Sequence, residues 1–363
     1  MTTGMPIPQR RTPSADLAAL SEKDLSDVAR FIAAQSGRTR ESVEAHLRWF
    51  LLENPARQPQ DPLGFGLWSA DRLVGCILCS PQAFCFDGNK IVLMGSSSFY
   101  VDERHRGHGG RLFLQYSRLG NQSPLFGTSA NAEAAALWKA AGAIPIPYSD
   151  AEFFGVLHWP PVAEEFTHRR YSNGWLSRLA GSLVSNLAAL VRPLKLDDFE
   201  SDALQPLTSA EQVNHLPIHD PSAKLTALRD LSYIRWRYFS GRDATVAVFS
   251  FRRRSPDQEV LVTVNQRTRG YRGQINTLNL LDVYPEVPVE EWLRIVWALV
   301  ARYRDQVDAV VLRGQNQDRR KVFCERGFQQ RVFDAPTAWF LDKASLLPTH
   351  DWYLAPADGD GLI

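Results

Sequence analysis

The chain has 363 residues, 44% of them hydrophobic, with 41 basic and 40 acidic side chains and a formal charge of +1. That length suggests two domains, each able to bury a core, and the charge balance argues against a dedicated nucleic-acid binder. No apolar run approaches the roughly 20 residues of a transmembrane helix, and the polar, proline-rich start lacks the apolar centre of a signal peptide, so the expectation is a cytoplasmic protein with a disordered tail over residues 1–14.

Residues 15–53 read as helical, with Ser21 as an N-cap candidate and a second helix from Thr39. Gly64 to Ser69, Leu73 to Ser80 and Ile91 to Tyr100 read as strands, separated by the turn chemistry of Ala70-Asp-Arg and Phe86-Asp-Gly-Asn-Lys. Cys76 and Cys79 form a C-x-x-C inside a strand with no second pair or suitably spaced histidines; buried reduced thiols are expected, with no metal site. Val101-Asp-Glu-Arg-His-Arg-Gly-His-Gly-Gly-Arg-Leu112 then joins a strand to a helix. Convergent backbone N–H groups, the positive end of a helix and an arginine make such a turn an anion site. A short strand at Pro124 to Thr128, a helix from Asn131 to Ala141 ended by Gly142, and closing strands at Ile144 to Tyr148 and Glu152 to Trp159 follow.

Gly174 to Arg192 carries an apolar stripe at Leu176, Leu179, Leu183, Leu187 and Leu190, which predicts an amphipathic connector helix. Asp197 to Asp202 reads as an acidic linker. Ser232-Tyr-Ile-Arg-Trp-Arg-Tyr-Phe is dense in aromatic and basic residues, which suits a domain interface or a sugar or anion site. Thr245 to Phe251, Val260 to Asn265, Gln274 to Val283 and Asp308 to Arg313 read as strands, with a helix from Pro288 to Arg304. Asn316 to Gly327 then matches Asn131 to Gly142 in its Asn, its apolar-aromatic pair and its Gly, at a period of 185 residues. Duplication is one reading of that match; a common helix-ending glycine is the other.

Two motifs carry a resemblance. Arg106-Gly107-His108-Gly109-Gly110-Arg111, five residues beyond Val101, resembles the pyrophosphate loop of GNAT acyl-CoA N-acyltransferases. Asn131, Ala134, Leu137, Trp138, Gly142 and Ala143 resemble that superfamily's second signature. The resemblance implies an α/β protein of two GNAT-like domains, each a mixed, mostly antiparallel central sheet flanked by helices. Its expected segments are an acyl-CoA-binding domain at 15–160, a connector at 161–204, a degenerate second domain at 205–345 and a tail at 346–363. The second domain has prolines and Glu286, Glu290 and Glu291 where the loop would be, so it is not expected to bind phosphate.

By the resemblance, acetyl-CoA or another acyl-CoA is held by Phe99, Tyr100, Val101, Arg106, Gly107, His108, Gly109, Gly110, Arg111, Asn131, Ala134 and Trp138. The implied activity is acyl transfer to a small amine by direct attack on the thioester, which needs a neutral amine and a donor for the thioester oxygen. Base candidates are Glu103, His105, Asp150 and Glu152; exposed turn carboxylates are the plainer reading of the three acids. Alternation along the strand sets Ser97 against Ser96 and Ser98. Trp138 stands where many members carry a tyrosine that protonates the thiolate, and an indole has no proton for that task. The tail Asp351-Trp-Tyr-Leu-Ala-Pro-Ala-Asp-Gly-Asp360 resembles tails of GNAT proteins encoded near exopolysaccharide genes, a resemblance that tilts the expected acceptor toward an amino sugar or envelope precursor. The alternatives are a silent CoA-binding or regulatory protein and an aminoacyl-transferring relative of the peptidoglycan-bridge ligases.

Overall fold

Two turns with left-handed residues set up the first sheet. Ala70 and Asp71 (φ 49° and 60°) join β2 (Gly64–Ser69) to β3 (Arg72–Phe86). Asp87 and Gly88 (φ 45° and 80°) join β3 to β4 (Asn89–Val101). Two-residue loops with both φ positive match the twist of antiparallel strands, so these turns fix the hairpin register. In this computed structural model the described residues are 14–170, 194–195, 203–218, 225–240, 245–253, 258–270, 274–314, 316–343, 347, 352–353 and 355–358. The helix expected at 174–192 and the acidic stretch at 197–202 lie outside them.

Residues 15–53 are not helical throughout. Asp16–Leu20 forms β1, antiparallel to β2. Its Leu-Ala-Ala-Leu composition favours helix, but five residues cannot sustain one, and the edge of β2 offers backbone partners. The helical part begins after Ser21, whose hydroxyl and the Asp24 carboxylate form a capping box. It comprises α1 (Leu25–Ser36) and α2 (Arg40–Leu47), the latter capped by Thr39.

After β4 come a 3₁₀ turn at Glu103–His108, α3 (Gly109–Ser117), β5 (Leu125–Gly127), α4 (Ala132–Ala140) and β6 (Ile144–Pro145). Next are β7 (Ala151–Val156), α5 (Trp159–Arg170), β8 (Leu204–Pro206), β9 (Leu225–Ala227) and α6 (Leu231–Phe239). The remainder holds β10 (Val246–Arg252), β11 (Glu259–Arg269), β12 (Ile275–Tyr284), α7 (Val289–Tyr303) and β13 (Ala309–Arg313). It ends with α8 (Gln317–Glu325), β14 (Gln329–Val332), β15 (Trp339–Leu341) and β16 (Trp352–Tyr353).

These strands make two sheets. The first runs β1-β2-β3-β4-β5-β15-β6, with β9 and β16 added beside the far end of β3; the second runs β14-β7-β13-β12-β11-β10-β8. Along each main path one step is parallel, β4–β5 and β12–β13, and the rest are antiparallel. Each parallel step is bridged by a helix, α3 or α7. The chain is therefore an α/β protein with two mixed, mostly antiparallel sheets flanked by helices.

The sheets do not respect the expected boundaries at 160 and 205. β7 leaves the first half and pairs with β13 and β14 in the second sheet, whereas β15 returns from the second half to sit between β5 and β6. The closing strand expected at Glu152 to Trp159 thus closes the other sheet. Alternation cannot reveal this, because an apolar strand fits the gap in either sheet. One hydrophobic core also runs through both halves, joining Leu47, Trp49 and Phe50 to Tyr233, Leu261, Leu281 and Tyr284. Within it, the indole N–H groups of Trp49 and Trp236 donate to each other's backbone carbonyls, each at 2.9 Å. The aromatic and basic cluster on α6 is thus packed as an interface.

Candidate active site

A slot opens where β4 and β5 part. The two strands are in register only at Met94–Leu125 and Gly95–Phe126, although β4 continues to Val101. Beyond Gly95 the backbone groups facing the gap are not consumed by the parallel ladder. On its other edge β4 carries a bulge: Leu78 pairs with Ser97 and Cys76 with Tyr100, so Ser98 and Phe99 both face Ile77. Ser98 has φ 50°, which turns the backbone at that point. Ser96, Ser97 and Ser98 all line one cleft of about 1070 Å³; the bulge follows Ser97, and the hydroxyls of Ser97 and Ser98 lie 3.4 Å apart. The expected alternation of Ser97 against Ser96 is kept by the register, and the bulge interrupts it only from Ser98.

Phe99, Tyr100, Val101, Arg106, Gly109 and Gly110 line the same cleft. The glycine-rich segment is not an open loop. It is a 3₁₀ turn that runs straight into α3, whose first two residues are Gly109 and Gly110. No side chain caps α3 at His108 and its own first turn holds no acidic residue, while the Gly109 N–H donates to the Arg106 carbonyl of the preceding turn, which Asp102 caps. A Cβ on Gly110 would meet nothing within 4 Å, and one on Gly109 would approach only Val101 at 3.8 Å and Phe99 at 3.9 Å. The bare backbone leaves room for a phosphate at the helix start, so these residues fit the pyrophosphate of CoA. Gly107 and His108 belong to the same turn but are not part of the cleft lining. Arg111 is directed elsewhere, donating to the Ala15 carbonyl at 3.0 Å.

The second motif forms the opposite side of the slot. Asn131, Ala134, Leu137 and Trp138 line it. Asn131 is the N-cap of α4, accepting from the Ala134 N–H at 2.8 Å. Trp138 is 2% exposed and packs edge-on against Phe113 and Tyr116, with ring centroids 5.2 and 5.8 Å away. It is a wall. Tyr116 does not replace the missing acid: it is fully buried, donates to the Met94 carbonyl at 2.9 Å, and burial pushes its phenol well above the usual range.

None of the four expected bases lines the cleft. Glu103 is exposed in the 3₁₀ turn. Asp150 is held by Arg320 at 2.5 Å, and that hydrogen bond keeps its carboxyl below the ordinary carboxylate range. Glu152 is fully buried on β7 and shared by Arg269, Arg313 and Arg331, at 3.2, 3.0 and 3.1 Å. His105 is also buried, 3.4 Å from Asp102.

The second sheet supplies a wall that the sequence reading missed. Asn265, Arg267 and Arg269 on β11, Asn279 on β12 and Arg313 on β13 line the cleft opposite the slot. The signal was the spacing Asn265-x-Arg267-x-Arg269, which puts three polar side chains on one face of a strand. Ending that strand at Asn265 hid it.

No family model matches the sequence, and no curated protein matches it. Solved structures do share the fold. A Saccharomyces cerevisiae N-myristoyltransferase with bound myristoyl-CoA aligns over 94% of this chain and 81% of its own, at 11% identity and a TM-score of 0.56. A GCN5-related N-acetyltransferase from Anabaena variabilis covers 90% of this chain and 72% of its own, at 11% identity and a TM-score of 0.51. Another from Kribbella flavida covers 93% and 74%, at 14% identity and a TM-score of 0.50.

Proposed function

Because the chain has the fold of the GNAT superfamily of acyltransferases, we propose that it transfers an acyl group from acyl-CoA, with acetyl-CoA as the donor, to a small amine. The observation that carries this reading is the slot between β4 and β5, with the glycine start of α3 at one end and the bulge at Ser98 and Phe99 at the other. Arg106 and the backbone of Gly110 would hold the pyrophosphate by charge-assisted and backbone hydrogen bonds, with Gly109, whose N–H donates to the Arg106 carbonyl, leaving the space. The wall of Ala134, Leu137 and Trp138 would hold the pantetheine and exclude water from it. A bound acyl-CoA supplies the activated acyl group. Backbone N–H groups near Phe99 to Val101 would stabilise charge on the thioester oxygen.

Glu103, Asp150 and Glu152 are not among the residues lining the cleft, so the amine's proton would leave through water held by the serines Ser96 to Ser98. Solvent also protonates the departing thiolate, since Trp138 cannot. An amino sugar remains the proposed acceptor type. The test is thermal unfolding with acetyl-CoA, followed by assay of thiol release against a panel of amines. At 100 times the dissociation constant, one-site binding adds about 2.7 kcal/mol of stability. No shift in unfolding temperature would sink the reading. A shift without acyl loss to any acceptor would favour the silent CoA-binding alternative.

A further inference from the structure

The wall facing the slot is built from donors. Cross-strand register sets Asn265 opposite Asn279, Arg313 opposite Glu152, and Glu152 opposite Arg331. Arg269 donates to the Asn279 side-chain oxygen at 2.7 Å and to Glu152 at 3.2 Å. An arginine has only donors, so Asn279 must turn its oxygen to Arg269 and its amide nitrogen to Asn265. That nitrogen donates to the Asn265 oxygen at 3.0 Å. The chain of bonds leaves Asn265 Nδ2 as its end. Asn265 is 1% exposed, lines the cleft, and its Nδ2 has no partner. A buried amide donor without an acceptor is destabilising, and a ligand oxygen would recover that cost.

Charge points the same way. Glu152 is one carboxylate shared by three guanidinium groups, and Arg267 adds a fourth to the same wall. Arg269 feels it: burial lowers its pKa, and the neighbouring Arg313 and Arg331 lower it further against the pull of Glu152. Among the described residues, three guanidinium groups on one carboxylate leave positive charge in excess at this wall, which a negatively charged oxygen group would offset.

We propose that the acceptor amine carries an anionic oxygen group, a carboxylate or a phosphate, bound by Arg267, Arg269, Arg313 and Asn265 Nδ2 across the cleft from the slot. Glu152 and Asn279 are positioning residues that hold Arg269 in place. The proposal rests on the acyltransferase reading for its amine and on the second wall alone for its anion. A forked guanidinium suits either planar carboxylate or phosphate oxygens.

The experiment uses matched acceptors with the full chain: glucosamine 6-phosphate against glucosamine, and alanine against alaninamide. The anionic member of at least one pair should show kcat/KM at least tenfold higher, and which pair responds distinguishes phosphate from carboxylate. In Arg267→Gln that ratio should fall toward one, while Arg267→Lys keeps part of it and both variants keep the acetyl-CoA thermal shift. Equal rates within both pairs, or a neutral member preferred, would overturn the proposal. So would loss of the acetyl-CoA shift in folded Arg267→Gln, since the cluster would then serve the donor. If the wild type turns over none of the four, calorimetric titration of the same compounds reads the wall directly. Binding of an anionic member only, lost in Arg267→Gln, supports the site although the enzyme reading has failed; no binding of either anionic compound refutes it.

Discussion

Glu152 stands directly opposite Arg313 across the β7–β13 pairing, 3.0 Å from its guanidinium, although 161 residues separate them in sequence. The contact joins a strand from the first half to one from the second, and its carboxylate end has no exposure to solvent. Glu152→Gln keeps the shape but removes the charge shared by three arginines. Breaking a wholly buried pair costs about 3–5 kcal/mol, and the half-exposed Arg313 and Arg331 reduce this to about 2–3 kcal/mol. Urea unfolding should show that loss with an unchanged slope. A change below about 0.5 kcal/mol would mean that the arginines, not the carboxylate, organise this corner.

Gly110 gives a substitution in which stability and affinity diverge. A Cβ there meets nothing in the protein. Alanine in a helix is better than glycine by up to about 0.5–1 kcal/mol, so Gly110→Ala should keep or raise the unfolding temperature. If the helix start cradles a phosphate, acetyl-CoA affinity should fall at least tenfold in the same variant. Unchanged affinity by calorimetry would remove Gly110 from the cofactor site.

Trp138 separates wall from acid. Trp138→Phe preserves an aromatic wall and should leave kcat within about tenfold, as no proton transfer is lost. Trp138→Ala opens a cavity beside Phe113 and Tyr116 and should cost about 3–5 kcal/mol of stability. A hundredfold fall in kcat for the phenylalanine variant, with folding intact, would show that the indole N–H takes part in the chemistry.

Asp150 should contribute to the acid side of the stability profile. Its carboxyl is lowered in the folded chain, chiefly by the hydrogen bond from Arg320. The folded state therefore binds fewer protons than the unfolded one near the unfolded value of about 3.9; the contribution is complete above it and disappears as pH falls through the folded value. With 48% of the side chain exposed the effect is modest. Asp150→Asn should flatten the acid limb of a stability-versus-pH curve below about pH 5 and leave the neutral plateau lowered. An acid limb identical to the wild type's would assign that limb to other carboxylates.

A second buried network ties residues 355–358 to the core. Arg229 reaches Asp282 at 2.8 Å and Asp358 at 2.6 Å, all three side chains having no exposure. Asp358→Ala leaves Arg229 and Asp282 as a pair without its third member and should cost about 3–5 kcal/mol. The measurement is chemical unfolding; a loss under about 1 kcal/mol would indicate that water replaces the carboxylate.

The sequence was legible wherever local chemistry decides structure. Ala70-Asp71 and Asp87-Gly88 marked both hairpins, and Asn131 and Asn316 marked two helix starts that the structure shows as N-caps, each with its glycine at positive φ, Gly142 at 86° and Gly327 at 96°. Gly109 and Gly110 marked the start of α3. What stayed hidden depends on partners far along the chain. Nothing within Ala151 to Val156 says which sheet it joins. Nothing within Ser96 to Ser98 announces a bulge, since that is set by the register against β3. The expected bases failed for the same reason: Asp150 and Glu152 lie near the first signature in sequence but are drawn to Arg320 and to Arg269, Arg313 and Arg331.

The return of β15 to the first sheet sets a timetable. β5, one edge of the slot, pairs on its other side with Trp339, Phe340 and Leu341. A ribosome making this chain in order exposes the glycine turn and both signatures early, yet residues 339–341 reach them only after nearly the whole second half has been synthesised. Until then β5 and β6 have a vacant place between them. The nascent first half must therefore wait, with an open sheet edge that other chains could occupy, and its slot becomes complete among the last parts of the molecule to form.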